Sequence, residues 1–107
     1  MEVSVDHAGS EAVVRLSGKL VAGTTDVLYQ EVRRLIPDSK KIVLDLSDLA
    51  YMDSMGLGTV IRLYVSAKSA GCDLQLINLS KRIRELLGVT NLLSVFTICG
   101  EHTIRMP

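Results

Sequence analysis

Ile42-Val43-Leu44-Asp45-Leu46-Ser47-Asp48-Leu49-Ala50-Tyr51-Met52-Asp53-Ser54-Met55-Gly56-Leu57-Gly58 changes character twice along its length. Lys41 to Leu46 is a near-continuous apolar run bounded by charge, as expected of a central strand covered on both faces. The residues after it read as a short acidic turn. From about Ser54 the apolar positions take up helical spacing: Leu57, Val60, Ile61, Tyr64 and Ala67 share one stripe, and Met55, Thr59, Arg62, Ser66 and Ser69 fall on the other side. Gly71 closes this helix.

Working outward, Val3 and Val5 alternate with polar residues, and Ala12-Val13-Val14-Arg15-Leu16 is β-rich after the turn signal Ala8-Gly9-Ser10, which predicts an opening hairpin. Gly18-Lys19-Leu20-Val21-Ala22-Gly23 reads as a loop. Thr24 or Thr25 can cap a helix whose apolar positions Leu28, Val32 and Leu35 recur at i, i+4 and i+7, and Pro37 ends it. Beyond the central stretch, Asp73-Leu74-Gln75-Leu76-Ile77-Asn78 alternates like a strand. Ser80 can cap a short helix through Ile83, Leu86 and Leu87, stopped by Gly88, and Val95-Phe96-Thr97-Ile98 reads as a last strand. The order predicts an α/β fold: one domain over residues 1–107, a mixed central sheet with right-handed crossovers, and helices packed mainly on one face.

Composition narrows the function. Twelve basic residues balance twelve acidic ones with no run of like charge, which argues against a nucleic-acid groove or an anionic membrane surface. Hydrophobic residues make up 48% of the chain, yet no apolar stretch approaches the ~20 residues of a membrane span, and a cytoplasmic protein is expected. Cys72 and Cys99 lack partners at ligand spacing and are expected to be small buried hydrophobes, with no metal site. His7 and His102 read as surface residues.

Gly56-Leu57-Gly58-Thr59-Val60-Ile61 has two glycines of a dinucleotide-binding turn, but Ile61 stands where the third is needed. The alternative is that Gly56 keeps the first turn open to a partner's backbone and Gly58 permits close packing. Asp45, Asp48 and Asp53 cluster near a strand end. With no His base, no G-x-S-x-G elbow and no phosphate-cradling loop, Asp45 and Asp48 read as solvated loop acids. Ser54, alone, reads as an N-cap. It also sits among unpaired N–H groups at the positive end of a helix, where a phosphate would be stabilised. The flanking Met52, Met55 and Leu57 suggest a surface offered to another protein.

These residues resemble a STAS domain, specifically a bacterial anti-sigma factor antagonist. The most specific match is Tyr51-Met52-Asp53-Ser54-Met55-Gly56-Leu57-Gly58, similar to the family's Asp-Ser-Ser/Thr-Gly-Leu-Gly, with support from Val43 to Ser47, Gly18-Lys19-Leu20 and Leu76-Ile77-Asn78-Leu79-Ser80. The resemblance implies that Ser54 is phosphorylated by a GHKL-type serine kinase that is also the anti-sigma factor. The unmodified chain would bind that kinase and free a sigma factor, phosphorylation would abolish binding, and a PP2C-type phosphatase would reset it. The chain would need no cofactor, act as a monomer or weak dimer, and be a substrate rather than an enzyme. The expected partner surface comprises Asp53, Met55, Gly56 and Arg62, with Lys19 and Thr24 from the preceding loop. Two positions depart from the family pattern: Met55 replaces a second Ser or Thr, and Val21 replaces an Asp. A STAS module with a non-sigma partner and a small-molecule or nucleotide-binding module are the alternative readings.

Overall fold

The computed structural model describes residues 1–89. Two strands, β1 (Glu2–Ala8) and β2 (Glu11–Leu20), form the expected opening hairpin around Gly9, whose φ of 65° suits a residue without a Cβ. Helix α1 (Thr25–Leu35) follows, then a 3-10 turn over Ile36–Asp38 that contains Pro37. Strand β3 (Lys41–Met52), helix α2 (Ser54–Ser69), strand β4 (Asp73–Ile77) and helix α3 (Lys81–Val89) complete the described order. The strands lie in the order β1-β2-β3-β4; β1 is antiparallel to β2, while β2, β3 and β4 run parallel.

Register explains the core. Ala12, Ile42 and Leu74 sit abreast on β2, β3 and β4, as do Val14, Leu44 and Leu76, and all of them are at most 1% exposed. The apolar stripes of the first two helices complete this layer: Leu28, Val32 and Leu35 from α1, and Leu57, Val60, Leu63 and Ala67 from α2. Each leucine side chain so covered contributes about 1.5–3 kcal/mol to burial. The mixed α/β sheet is as expected.

Several details differ from the sequence reading. Gly18-Lys19-Leu20 is not loop but the end of β2, with Gly18 at φ 104° and Leu20 fully buried. β3 does not stop at Leu46. Two bulges follow, since Arg15 and Ser17 on β2 face Asp45 and Asp48, and Gly18 and Lys19 face Leu49 and Tyr51. Each bulge inserts an extra residue into β3, so the positions that face the core change from alternate (Ile42, Leu44, Leu46) to every third (Leu49, Met52), which erases the strand signature. Helix α3 passes through Gly88 to Val89, and its cap is the expected one: Ser80 Oγ accepts the N–H of Ile83 at 3.1 Å. In α2, Thr59 is buried rather than exposed, and Leu63, absent from the expected stripe, lies at its centre. Gly71, at φ 76°, follows the end of α2 as expected.

Cys72 is buried, and desolvation together with the charge of Asp73 pushes its thiol up, so it behaves as a small hydrophobe. His7 is exposed. The expected strand Val95 to Ile98, Cys99 and His102 lie outside the described residues. Among the described residues no helix is long and apolar enough to cross a membrane, and no cluster of His, Cys, Asp or Glu could hold a metal ion.

Candidate functional site

Because β2 and β3 run parallel, their C-terminal ends emerge side by side, and this places the Val21–Thr24 turn against the start of α2. Asp53 joins the two. Its backbone N–H donates to the Leu20 carbonyl at 3.2 Å. One carboxylate oxygen, Oδ1, accepts the Gly56 N–H at 2.9 Å, and the other, Oδ2, accepts the Ala22 N–H at 3.3 Å. With φ −103° and ψ −174°, Asp53 is therefore the N-cap of α2. The Gly56 N–H holds its carboxyl below the ordinary carboxylate range; partial desolvation opposes this, and the Ala22 N–H adds to it.

The expectation that Ser54 caps the helix is corrected. Asp53 has that place, and Ser54 is the first helical residue, exposed to solvent. Its hydroxyl is free of the capping role and stands beside an ionised carboxylate at the positive end of a helix.

Gly56 also takes a different part. It is buried, and a Cβ built there would overlap the Leu20 carbonyl oxygen and come within 2.9 Å of Leu20 Cγ. The missing side chain lets α2 seat on the end of β2 rather than admitting a partner. Gly58, expected to permit close packing, faces open space. Met52 and Leu57 are core residues at 6% and 5% exposure, so of the apolar residues flanking Ser54 only Met55, 58% exposed, is presented outward. Met55 thus fits the expected surface, whereas Gly56 is within it only as packing.

Arg62 is exposed, two turns beyond Met55, with its guanidinium 4.4 Å from the centre of the Tyr29 ring on α1. This cation–π contact fixes where the charge sits. Arg33 donates to the Tyr29 hydroxyl at 2.7 Å, and that bond is the main reason the phenol is held below its ordinary value. Sequence periodicity named Arg62 but not Tyr29, because a contact between helices leaves no local pattern.

Lys19 and Thr24 lie at the other side of the site. Lys19 is exposed near the end of β2, and its carbonyl accepts the Thr24 hydroxyl at 2.8 Å. The same hydroxyl accepts the Val21 N–H at 3.0 Å, and Thr24 N–H donates to the Val21 carbonyl at 2.9 Å. Thr24 stands at the N-cap place of α1 without capping it; it ties the turn to itself.

Asp45 is the acid that the sequence reading misplaced. It is 5% exposed, not solvated, and its carboxylate accepts from Asn78 Nδ2 and Ser47 N–H at 3.0 Å each and from Arg15 Nε at 3.3 Å. Desolvation pushes its carboxyl up, but the bonds from Asn78, Ser47 and Arg15 outweigh it and the net shift is downward. The Ser47 N–H is one that the first bulge frees from the ladder, so this side chain stabilises the bulge that redirects β3 toward the site. Asp48 is exposed, as expected. A cleft of about 290 Å³ borders the site, between Ala50, Tyr51 and Met52 of β3 and Ser80, Arg82 and Ile83, with Arg82 5.4 Å from the centre of the Tyr51 ring.

Comparison with known proteins places the fold. The family model for the STAS domain matches residues 2–103. The chain is 29% identical to the anti-sigma-B factor antagonist of Bacillus subtilis, over 94% of this chain and 93% of that protein. It is 27% identical to the anti-sigma F factor antagonist of Paenibacillus polymyxa, over 92% and 86%. The structure of the Bacillus cell fate determinant SpoIIAA in its phosphorylated form shares the fold with a TM-score of 0.72 at 19% identity, covering 94% of this chain and 93% of that one.

Proposed function

The chain belongs to the STAS domain family, and from that premise we propose that it is an anti-sigma factor antagonist that works by partner switching. The carrying observation is Ser54: an exposed hydroxyl on the first residue of α2, relieved of capping by Asp53 and flanked by the outward Met55. Unmodified, the face formed by the start of α2, Arg62, Lys19 and the Thr24 turn docks on a GHKL-type serine kinase that is also the anti-sigma factor, and a sigma factor is released. The kinase then transfers the γ-phosphoryl group of ATP to Ser54. The Oγ–P bond forms as the bond from the γ-phosphorus to the bridging oxygen breaks, ADP departs, and the hydroxyl proton passes to a base on the kinase. A PP2C-type phosphatase reverses the state by hydrolysis, with water supplying the oxygen that leaves as inorganic phosphate. ATP and magnesium belong to the partner enzymes, and the chain acts as their substrate.

Phosphorylation adds about −1.5 to −2 charges at a helix end that tolerates them, so the fold survives while docking fails. A dianion buried against a partner without a matching cation is costly, and about 3 kcal/mol already weakens affinity roughly a hundredfold. Structures of SpoIIAA in unphosphorylated and phosphorylated form match the present chain with TM-scores of 0.70 and 0.72, which supports a switch that leaves the fold in place.

The test is to incubate the chain with ATP and the serine kinase encoded beside it, locate the modified residue by mass spectrometry, and measure kinase affinity. Ser54→Ala is expected to bind like the unmodified chain and to resist switching. Ser54→Asp should bind about a hundredfold more weakly. Label on another residue, or undiminished binding of the phosphorylated chain, overturns the reading.

A further inference from the structure

The Ala22–Asp53 bond is the only side-chain hydrogen bond that joins the Val21–Thr24 turn to α2 among the described residues. It is also the weaker of the two that the Asp53 carboxylate makes, at 3.3 Å and exposed, against 2.9 Å and partly buried for the bond to Gly56. We propose that Asp53 is the positioning residue that fastens this turn to α2, and that a phosphoryl group on Ser54 unfastens it by competing with the Asp53 carboxylate for the N–H groups around the helix start. The inference rests on Ser54 being the modified residue and adds to that reading a structural route for the release.

The argument is one of supply. The first turn of a helix offers few free N–H groups, and the Asp53 carboxylate already holds one of them together with Ala22 N–H. A dianion on the adjacent residue favours the same donors more strongly and repels the carboxylate beside it. Something must yield, and the exposed bond costs least to break. Leu20 is fully buried under Gly56, so movement is confined to the residues beyond it. Thr24 holds those residues to one another, so they part from α2 as a unit. The partner then meets a displaced second half of its docking face as well as a new charge.

Phosphoserine installed at position 54 during translation gives the test without any kinase, and amide hydrogen exchange followed by NMR reads it. Exchange at Ala22 is expected to accelerate about tenfold, the scale of one net hydrogen bond, while Ile42 and Leu44 in the sheet are unchanged. Asp53→Asn keeps an oxygen for the Gly56 cap but cannot also accept from Ala22. It should show the fast Ala22 exchange without phosphate, and phosphoserine should add nothing in that background. Ala22 exchange that ignores phosphoserine, or that responds equally in the Asp53→Asn background, overturns the proposal. Kinase binding measured on the same samples separates the two claims: a phosphorylated chain that binds undiminished defeats the switching role, and one that loses binding with Ala22 exchange unaltered defeats the unfastening alone.

Discussion

Gly56 and Gly58 stand one residue apart and have opposite reasons to be small. At Gly56 a methyl group would meet the Leu20 backbone, which cannot rotate away as a side chain would. Gly56→Ala is therefore expected to destabilise by about 1–3 kcal/mol, the usual range for overpacking. Gly58 faces open space inside a helix, so Gly58→Ala should gain up to about 1 kcal/mol of helix propensity. Chemical denaturation of both variants checks the pair, and a shift of the same sign in both would contradict the packing described. The glycines themselves were conspicuous in the sequence, but their roles were not. Which of two helical glycines lies beneath a strand depends on how α2 is rotated on the sheet, and the nearest residue to Gly56 comes from a different element.

At the scale of elements, α3 offers the plainest test, because its start depends on a single hydroxyl. Ser80→Ala removes the bond to the Ile83 N–H and should cost about 1 kcal/mol, seen as a lower denaturation midpoint. Helix α1 and the first part of the hairpin were legible because their burial follows one period, and the first half of β3 because it is an apolar run buried on both faces; α2 was legible as a helix, though its stripe was read without Leu63 and Thr59. The second half of β3 was not. Its bulges shift the core positions from two to three residues apart, and Ser47 and Asp48 then look like a turn although both lie within the strand and Asp48 pairs with Ser17. The same bulges misplaced Asp45, whose partners Arg15 and Asn78 lie 30 and 33 residues away and leave no mark near it in the chain. For the candidate site, Ser54, Asp53, Met55 and Arg62 were nominated from local pattern and family resemblance. Ala22 could not be, since it contributes only a backbone N–H, which any residue but proline provides.

For the molecule as a whole, acid is the informative perturbant. The Asp45 carboxyl is held below its ordinary value in the folded chain, so on acidification the unfolded chain takes up that proton first. The stabilisation is complete above the ordinary carboxylate value of about 3.9 and drains away as the pH falls through the lower folded value. Asp45→Asn should lose about 1–3 kcal/mol at neutral pH, because Arg15 and the Ser47 N–H lose an ionised acceptor, and its stability should be flatter across that acid range. A variant as steep as the parent would place the acid response elsewhere. The side-by-side exit of β2 and β3 has another consequence, for how such proteins diversify. A short stretch fixed by one strand and the proposed phosphoacceptor Ser54 fixed by its neighbour share one rim without sharing sequence, so on the proposed function residues 21 to 24 can drift toward a new partner while the acceptor stays under constraint. Related circuits inside one cell could be insulated from one another by changes as small as the valine at position 21.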